Sequence, residues 1–383
     1  MKPVLAFVVT EDWYFLSHRL PMARAARAAG YDVHVITHVS RGGAAIEGEG
    51  FALHPVVWRR GSLNPFDFLS NILAVRRVFR RIKPALVHNV ALQPTIVGSL
   101  AAEGLPFVRV NALAGLGFSF TSQGITARLV RPVVRALLRH VLSHGRSAVL
   151  VQNPDDRAMA QGLGIPPDRI FMVRGSGVET DHLVPLPEPD GEVTVAFVGR
   201  LLDDKGLRTL IEAHAILARR GQAVRLLIAG EPDPANPVSI PSQEIAAWRG
   251  RQGIEVLGHV ADIRDVWARA HIAVLPSRRE GLPKSLLEAA ACGRPIVATD
   301  VPGCREIARP GVNALLVPPD APEALADAIA RLAANAELRR AYGAAGRRLV
   351  ETEFSAGGIG RDIVALYVRV LGRTPQPVTV AAK

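Results

Sequence analysis

The chain alternates short apolar, β-branched runs with longer stretches whose apolar positions recur at helical spacing. VLAFVV (4–9), VHVIT (33–37), ALVH (85–88), FVRV (107–110) and AVLVQ (148–152) read as strands. A second set follows a Pro-rich stretch: VTVAFVG (193–199), VRLLIAG (224–230), IAVLP (272–276) and RPIVATD (294–300). Few of these runs alternate apolar with polar residues. Both faces of each strand are therefore predicted to be covered, as in parallel sheets flanked by helices. The stretch LVPLPEPDGE (183–192) reads as a linker. The expectation is an α/β protein of two Rossmann-like domains, residues 1–185 and 186–355. A helix at 356–371 is expected to pack back on the first domain, with a tail at 372–383. Ligands of open parallel sheets bind beyond the carboxyl ends of the strands, so two facing sheets would place a site in the cleft between them.

Composition agrees with this picture and narrows the partners. A length of 383 residues suits two domains, and 49% hydrophobic with 21% charged residues suits packed cores. The only cysteines, Cys292 and Cys304, are too few for a disulfide framework and lack the neighbouring histidines of a zinc site. VLAFVV is followed at once by Glu11 and Asp12, so it reads as a first strand rather than a signal segment. No run of about 18 uninterrupted apolar residues is present, so no membrane span is expected. A cytoplasmic location follows as the expectation.

Net charge is +11, and it is uneven. The first 185 residues hold 21 basic and 12 acidic residues; the remainder hold 25 and 23. The basic surplus should face something anionic. In 66–82 (FDFLSNILAVRRVFRRI), Leu69, Ile72, Leu73, Phe79 and Ile82 interleave with Arg76, Arg77, Arg80 and Arg81. In 128–146, Arg128, Arg135, Arg139 and Arg146 fall near one helical line, with Arg131 beside it and Pro132 at the expected helix start. Basic faces beside apolar ones suit an anionic membrane surface. Nucleic acid is not expected, because no recognition motif or interleaved aromatic residues accompany the arginines.

The segment SRREGLPKSLLEAAACGRPIVATDVPG (277–303) concentrates the candidate chemistry. Glu280 precedes a Gly-Leu-Pro turn, and Glu288 lies inside the helix expected to start near Pro283. Such a helix start offers free N–H groups and a positive dipole end to a phosphate. Arg200 and Lys205 follow the strand at 193–199, and a guanidinium fork and a mobile ammonium both suit phosphate.

EGLPKSLLEAAACGRPIVATDVPG resembles the E-x7-E region of the retaining glycosyltransferases of family 4, which have the GT-B fold. FVGRLLDDKGLRTLIEAHAIL (197–217) is similar to the family's segment carrying the donor-phosphate Arg and Lys. GHVADIRDVWARAHIAVLPS (258–277) is similar to its nucleotide-base loop and following strand. GEPDPANPVSIP (230–241) and GLGFSF (115–120) resemble a branch that builds bacterial surface polysaccharides and lipid-linked oligosaccharides. The match is specific over about 193–320 and looser before it.

The resemblance implies roles position by position. Arg200 and Lys205 would bind the donor diphosphate, Glu288 the ribose and Glu280 the transferred sugar. Lys284 and Ser285 would offer backbone N–H groups to the distal phosphate. Gly199, Gly258, His259, Val260, Gly281 and Leu282 would complete the donor site, with Glu280, Arg200 and Lys205 carrying catalysis. On the acceptor or sugar side the candidates are His18 at a presumed helix start, Asn111, Gly115 and Gly117. The sequence departs from the pattern twice. Pro283 stands where many relatives have Gly, removing an N–H, and Ala114 stands where many have a His near the transferred sugar.

The expected activity is retaining transfer of a sugar from a nucleoside diphosphate donor, UDP-linked and carrying an N-acetylhexosamine, to a hydroxyl of a lipid-linked saccharide. No metal and no cofactor are expected, and the enzyme would associate peripherally with the inner face of the cell membrane. The alternatives are a soluble transferase, a sugar-nucleotide epimerase of the same fold and an inactive partner subunit.

Overall fold

A computed structural model describes residues 2–58, 64–113, 125–234 and 236–372, without the side chains of 125–131. The chain forms two compact units. The first comprises residues up to Ser176 together with those from Ala356 onward; the second is Gly177–Ser355.

In the first unit the elements run β1 (Val4–Glu11), α1 (Asp12–His18), α2 (Leu20–Ala28), β2 (Asp32–His38), α3 (Gly43–Gly48), β3 (Ala52–Pro55), α4 (Pro65–Ile82), β4 (Leu86–Val90), α5 (Leu92–Ala101), β5 (Val108–Ala112), α6 (Ile125–Ser143), β6 (Ser147–Val151), α7 (Pro154–Gly162) and β7 (Ile170–Met172). All seven strands are parallel, in the order β3-β2-β1-β4-β5-β6-β7. Strands β4, β5 and β6 are buried along their whole length, because helices cover both faces.

The second unit runs β8 (Thr194–Val198), α8 (Leu207–Arg219), β9 (Arg225–Ala229), α9 (Ser242–Arg249), β10 (Ile254–Gly258), α10 (Ile263–Arg269), β11 (Ile272–Leu275), α11 (Lys284–Ala291), β12 (Ile296–Thr299), α12 (Cys304–Ile307), β13 (Ala314–Val317), α13 (Pro322–Ala333) and α14 (Ala336–Glu353). Its six strands are parallel in the order β10-β9-β8-β11-β12-β13. One continuous core fills this unit, from Val178 to Phe354. Both cysteines are free and buried there, and burial foremost pushes the Cys292 thiol up to about 11.

The last helix, α15 (Ala356–Val370), returns to the first unit and packs on α2. Its Ile359, Ile363, Leu366 and Tyr367 join the core containing Phe7, Phe15 and Met22. A Cβ on Gly360 would come within 2.7 Å of the Ala25 methyl, so glycine permits the close helix contact.

The units divide at Ser176/Gly177, not at 185. The stretch read as a linker is packed onto the second unit instead. Arg347 donates to the carbonyls of Leu183 at 2.5 Å and Thr180 at 3.0 Å. Leu186 N–H donates to Cys292 O at 3.2 Å, and Arg294 donates to Pro187 O at 2.7 Å. Proline removes donors but leaves every carbonyl, and arginines of the second unit use those carbonyls.

One further expectation changes. Pro132 lies inside α6 rather than at its start; it removes one backbone donor, and the helix-forming residues before it (Ala127, Arg128, Leu129) carry the helix back to Ile125. On that helix Arg135 donates to Gly162 O at 3.1 Å, while the Arg128 and Arg131 side chains lie outside the described residues. Among the described residues, no helix is long and apolar enough to cross a membrane.

Near the edge of the first sheet, Arg81 Nη2 lies 2.9 Å from His54 Nδ1, and His54 Nε2 lies 2.8 Å from His34 Nδ1. His34 Nε2 in turn lies 3.3 Å from Asp32 Oδ2. With Arg81 donating, His54 is neutral and donates onward to His34. Burial, then His34 and Arg81, pushes His54 down to about 4. The unfolded chain protonates this residue near 6.5, so its contribution is present above pH 6.5 and is lost as pH falls from 6.5 toward 4. His54→Asn should flatten part of the loss of stability between pH 7 and pH 5 in urea titrations. An identical slope in the variant would contradict this coupling.

Candidate active site

The donor-side candidates gather at the carboxyl edge of the six-stranded sheet, where β8 and β9 are each followed by a glycine and β10 ends in one. Gly199 N–H donates to Ala229 O at 3.0 Å, and Gly230 N–H donates to Gly258 O at 2.8 Å. Gly230 has φ +142, and a Cβ there would stand 1.9 Å from Gly199 O. Only glycine lets these backbones stack so closely. Beyond them His259 is exposed, and Val260 and Leu282 pack against the unit's core.

Arg200 leaves this edge half-exposed, and its Nη1 donates to Asp233 Oδ2 at 2.9 Å. Lys205 ends a 3-10 turn, Asp203–Lys205, that is closed by Gly206 at φ +71. A Cβ on Gly206 would lie 2.0 Å from Pro276 O. This contact brings the Lys205 turn against the loop after β11 that carries Glu280.

Lys205 Nζ donates to Glu280 Oε1 at 2.5 Å, and Ser277 Oγ donates to the same oxygen at 2.6 Å. The Glu280 side chain is 9% exposed. Ser277 is itself buried, and its carbonyl accepts from Thr299 Oγ1. Both described donors thus converge on one carboxylate oxygen. Arg278 ties the two loops from outside, through Asp203 at 2.6 Å and Asp320 at 2.8 Å. Its N–H also donates to Asp204 O at 2.9 Å.

Helix α11 begins one residue later than expected, with Pro283 as its N-cap. The N-cap N–H is therefore missing, while the N–H groups of Lys284 and Ser285 have no acceptor inside the helix. Gly281 and Glu280 turn their carbonyls onto Gly303, where a Cβ would meet them at 2.4 and 2.7 Å. Glu288, on the first turns of α11, is not on a solvated face: its side chain is 12% exposed and paired with Lys284 at 3.1 Å. Burial raises its pKa above the usual carboxylate range, against the lowering pull of Lys284.

A raised carboxyl pKa destabilises the native state as pH rises through the unfolded value. Glu288→Gln should therefore raise thermal stability at pH 7. If Glu288 grips a ligand hydroxyl, the same change should weaken donor binding by about 10–100-fold, the worth of a hydrogen bond to a charged group. Calorimetry measures both, and a variant with unchanged donor affinity removes Glu288 from the site.

The acceptor-side candidates fare differently. His18 ends α1 instead of starting a helix, and its ring stacks on Tyr14 at 4.3 Å. Asn111 is fully buried in a polar ladder with Asn89 (2.8 Å), Ser99 (3.1 Å) and Ser147 (2.9 Å), so it is a core residue. His88 is buried against Phe7, with Nδ1 2.6 Å from Tyr367 Oη. Ala114, Gly115 and Gly117 lie outside the described residues. Sequence reading missed Asp233, Ser277 and Arg278. The signal for Ser277 was its place three residues before Glu280, on the same strand-end loop.

Residues 192–335 match the model for glycosyl transferases group 1, and residues 4–153 match that for glycosyl transferase 4-like domains. The α-D-kanosaminyltransferase of Streptomyces kanamyceticus is 32% identical over 81% of this chain and 82% of its own. The chain belongs to the family 4 glycosyltransferases. It is also 26% identical, over 76% of its length and 81% of the relative's, to the N,N'-diacetylbacillosaminyl-diphospho-undecaprenol α-1,3-N-acetylgalactosaminyltransferase of Campylobacter jejuni. The fold is GT-B: the Anabaena protein HepE, solved in complex with UDP and glucose, superposes with a TM-score of 0.77 at 18% identity, covering 96% of this chain and 99% of that one. As a glycosyltransferase, the chain carries its Lys205–Glu280–Ser277 cluster inside the residues that match the group 1 model.

Proposed function

We propose that this glycosyltransferase moves a sugar, with retention, from a UDP-linked donor to a hydroxyl of a lipid-linked saccharide in cell-envelope polysaccharide assembly. The observation that carries the donor side is the Lys205–Glu280–Ser277 cluster beside the N-terminus of α11. Arg200 and Lys205 meet the diphosphate, the Lys284 and Ser285 N–H groups its distal phosphate, Glu288 the ribose, and Glu280 the sugar. As the bond from the anomeric carbon to the diphosphate breaks, charge grows on the leaving oxygen. Preorganised cations and N–H groups stabilise that charge without reorganisation. The new bond forms to the acceptor oxygen, whose proton passes to the departing diphosphate. In this reading no metal takes part, and Glu280 and Glu288 are not a glycosidase pair. The polyprenyl diphosphate acceptor named for the Campylobacter relative and the UDP bound by the Anabaena protein support the choice of partners.

The test is a panel of UDP- and GDP-sugars scored by slow donor hydrolysis, with and without EDTA. UDP-sugars should be hydrolysed, with the chelator changing nothing. Hydrolysis of GDP-sugars alone, or its abolition by EDTA, would overturn the donor or the metal-free reading respectively. A small soluble acceptor is the second reading, since the name of the kanosaminyltransferase gives the sugar moved and specifies no lipid-linked acceptor. Transfer to a free aminosugar, with none to a lipid-linked saccharide in vesicles, would establish it.

A further inference from the structure

A cavity of about 460 Å³ opens at the amino edge of the first sheet, lined by the turns that lead into β5 and β6. That volume lies within the range of small-molecule sites. Leu105 and Phe107 contribute apolar surface, and His140, His144 and Arg146 also line it. Arg109, on β5, belongs to the same lining and is 7% exposed. Its Nη1 donates to Ser99 O at 3.2 Å and its Nη2 to His144 O at 2.8 Å. Two carbonyls use fewer than half of a guanidinium's N–H groups. Among the described residues, no carboxylate is bonded to Arg109. The carboxylate that acts on it, Glu103, is held by His140 Nε2 at 3.0 Å. Burial foremost pulls Arg109 below the ordinary arginine range. A Cβ on Gly145 would stand 2.6 Å from Arg109 Nη2, so glycine lets the turn before β6 close over the guanidinium.

Helix-end capping accounts for part of this charge. Arg76 donates to Ala101 O at 2.9 Å and to Glu103 O at 2.7 Å, and Arg169 donates to Ser143 O at 2.6 Å. Carbonyls at the ends of α5 and α6 are thereby satisfied, as helix C-termini require. The charges still do not balance. Arg76, Arg109, Arg146 and Arg169 stand against the Glu103 carboxylate and two helix ends of about half a negative charge each, a surplus of about two positive charges. Arg146 is exposed, and its side chain has no partner among the described residues. We propose that this cavity binds a small soluble phosphate monoester, with its phosphoryl group on Arg109 and Arg146 and its organic part against Leu105 and Phe107. A phosphate monoester carries about −1.5 to −2 charge at pH 7, which matches the surplus. Guanidinium forks suit its oxygens. A buried cation bonded only to carbonyls gains most from an incoming anion, because its desolvation is already spent. None of these residues lies in Gly177–Ser355, so the inference stands apart from the donor reading.

The full-length protein is titrated by calorimetry with phenyl phosphate, inorganic phosphate and phenol, with UDP in excess to fill a phosphate site in the second unit. Phenyl phosphate should bind, inorganic phosphate more weakly, and phenol not at all. Arg146→Gln removes no bond of the folded chain, so its melting temperature without ligand should equal the parent's. It should weaken phenyl phosphate about 10-fold or more, the worth of a charged hydrogen bond. Leu105→Ala should weaken phenyl phosphate and leave inorganic phosphate unchanged. Arg139→Gln takes the same charge from α6 outside the cavity and should change neither ligand. Each binding ligand should also raise the parent's melting temperature in step with its affinity. A parent chain that binds neither phosphate compound would overturn the proposal. So would equal losses in Arg139→Gln and Arg146→Gln, or phenol binding as tightly as phenyl phosphate.

Discussion

Lys205→Ala is expected to slow sugar transfer by about 10²–10³-fold, the cost of removing one preorganised donor from a developing oxyanion. The structure adds a second consequence. Lys205 and Glu280 are 21% and 9% exposed, and Nζ sits 2.5 Å from Oε1. Removing the ammonium leaves a nearly buried carboxylate with, among the described residues, the Ser277 hydroxyl as its remaining side-chain donor. Breaking a buried pair on one side costs more than the pair contributes, because the remaining charge stays desolvated. Lys205→Ala should therefore lose stability as well as rate, and Lys205→Ala/Glu280→Gln should regain the stability but not the rate. Steady-state kinetics with urea denaturation separates the two. If the single variant turns over within about threefold of the parent, the donor-phosphate role of Lys205 is wrong.

Gly230→Ala carries the other large effect. The added methyl would stand 1.9 Å from the Gly199 carbonyl, at a φ of +142. Neither atom belongs to a side chain that can swing away. The strain should cost about 3 kcal/mol or more, and the backbone must part to relieve it. Since Gly199 precedes Arg200, the parting moves the guanidinium off its line to Asp233. Donor affinity should fall together with unfolding free energy. A variant as stable as the parent, with the same UDP affinity, would falsify the view that this glycine contact sets the donor edge.

The central strands were legible in the sequence, and the strands it missed share one property. β3, β7, β10 and β13 are the four sheet edges. A central strand is covered on both faces and flanked on both sides, so it is buried along its length and mostly apolar; LVHNV and VRVNA are fully buried, with His88, Asn89, Arg109 and Asn111 as their polar residues. An edge strand needs only partial cover; β10 is buried at Ile254 and half-buried thereafter. Its sequence, IEVLG, carries too little pattern to separate it from a loop. The candidate donor cluster was legible for a different reason. Its residues fall in short runs that follow strands, where a side chain has little packing to do, although the runs themselves lie as far apart as Lys205 and Glu280. Asn111 drew notice as a polar residue near a strand end, and in the structure three buried partners hold it. Asp233 and Arg278 were hidden because their meaning lies in partners 33 and 75 residues away.

The return of α15 to the first unit bears on how the protein is made. Residues 1–176 leave the ribosome first, yet the core around Phe7 and Tyr367 waits for Ile359, Ile363 and Leu366. Domains generally mature in the order of synthesis. Here the order inverts: Gly177–Ser355 holds its whole core in one uninterrupted stretch, while the earlier segment stays unfinished until Ala356–Val370 has been made. A nascent chain stalled before residue 356 would display the uncovered side of α2 to chaperones and proteases.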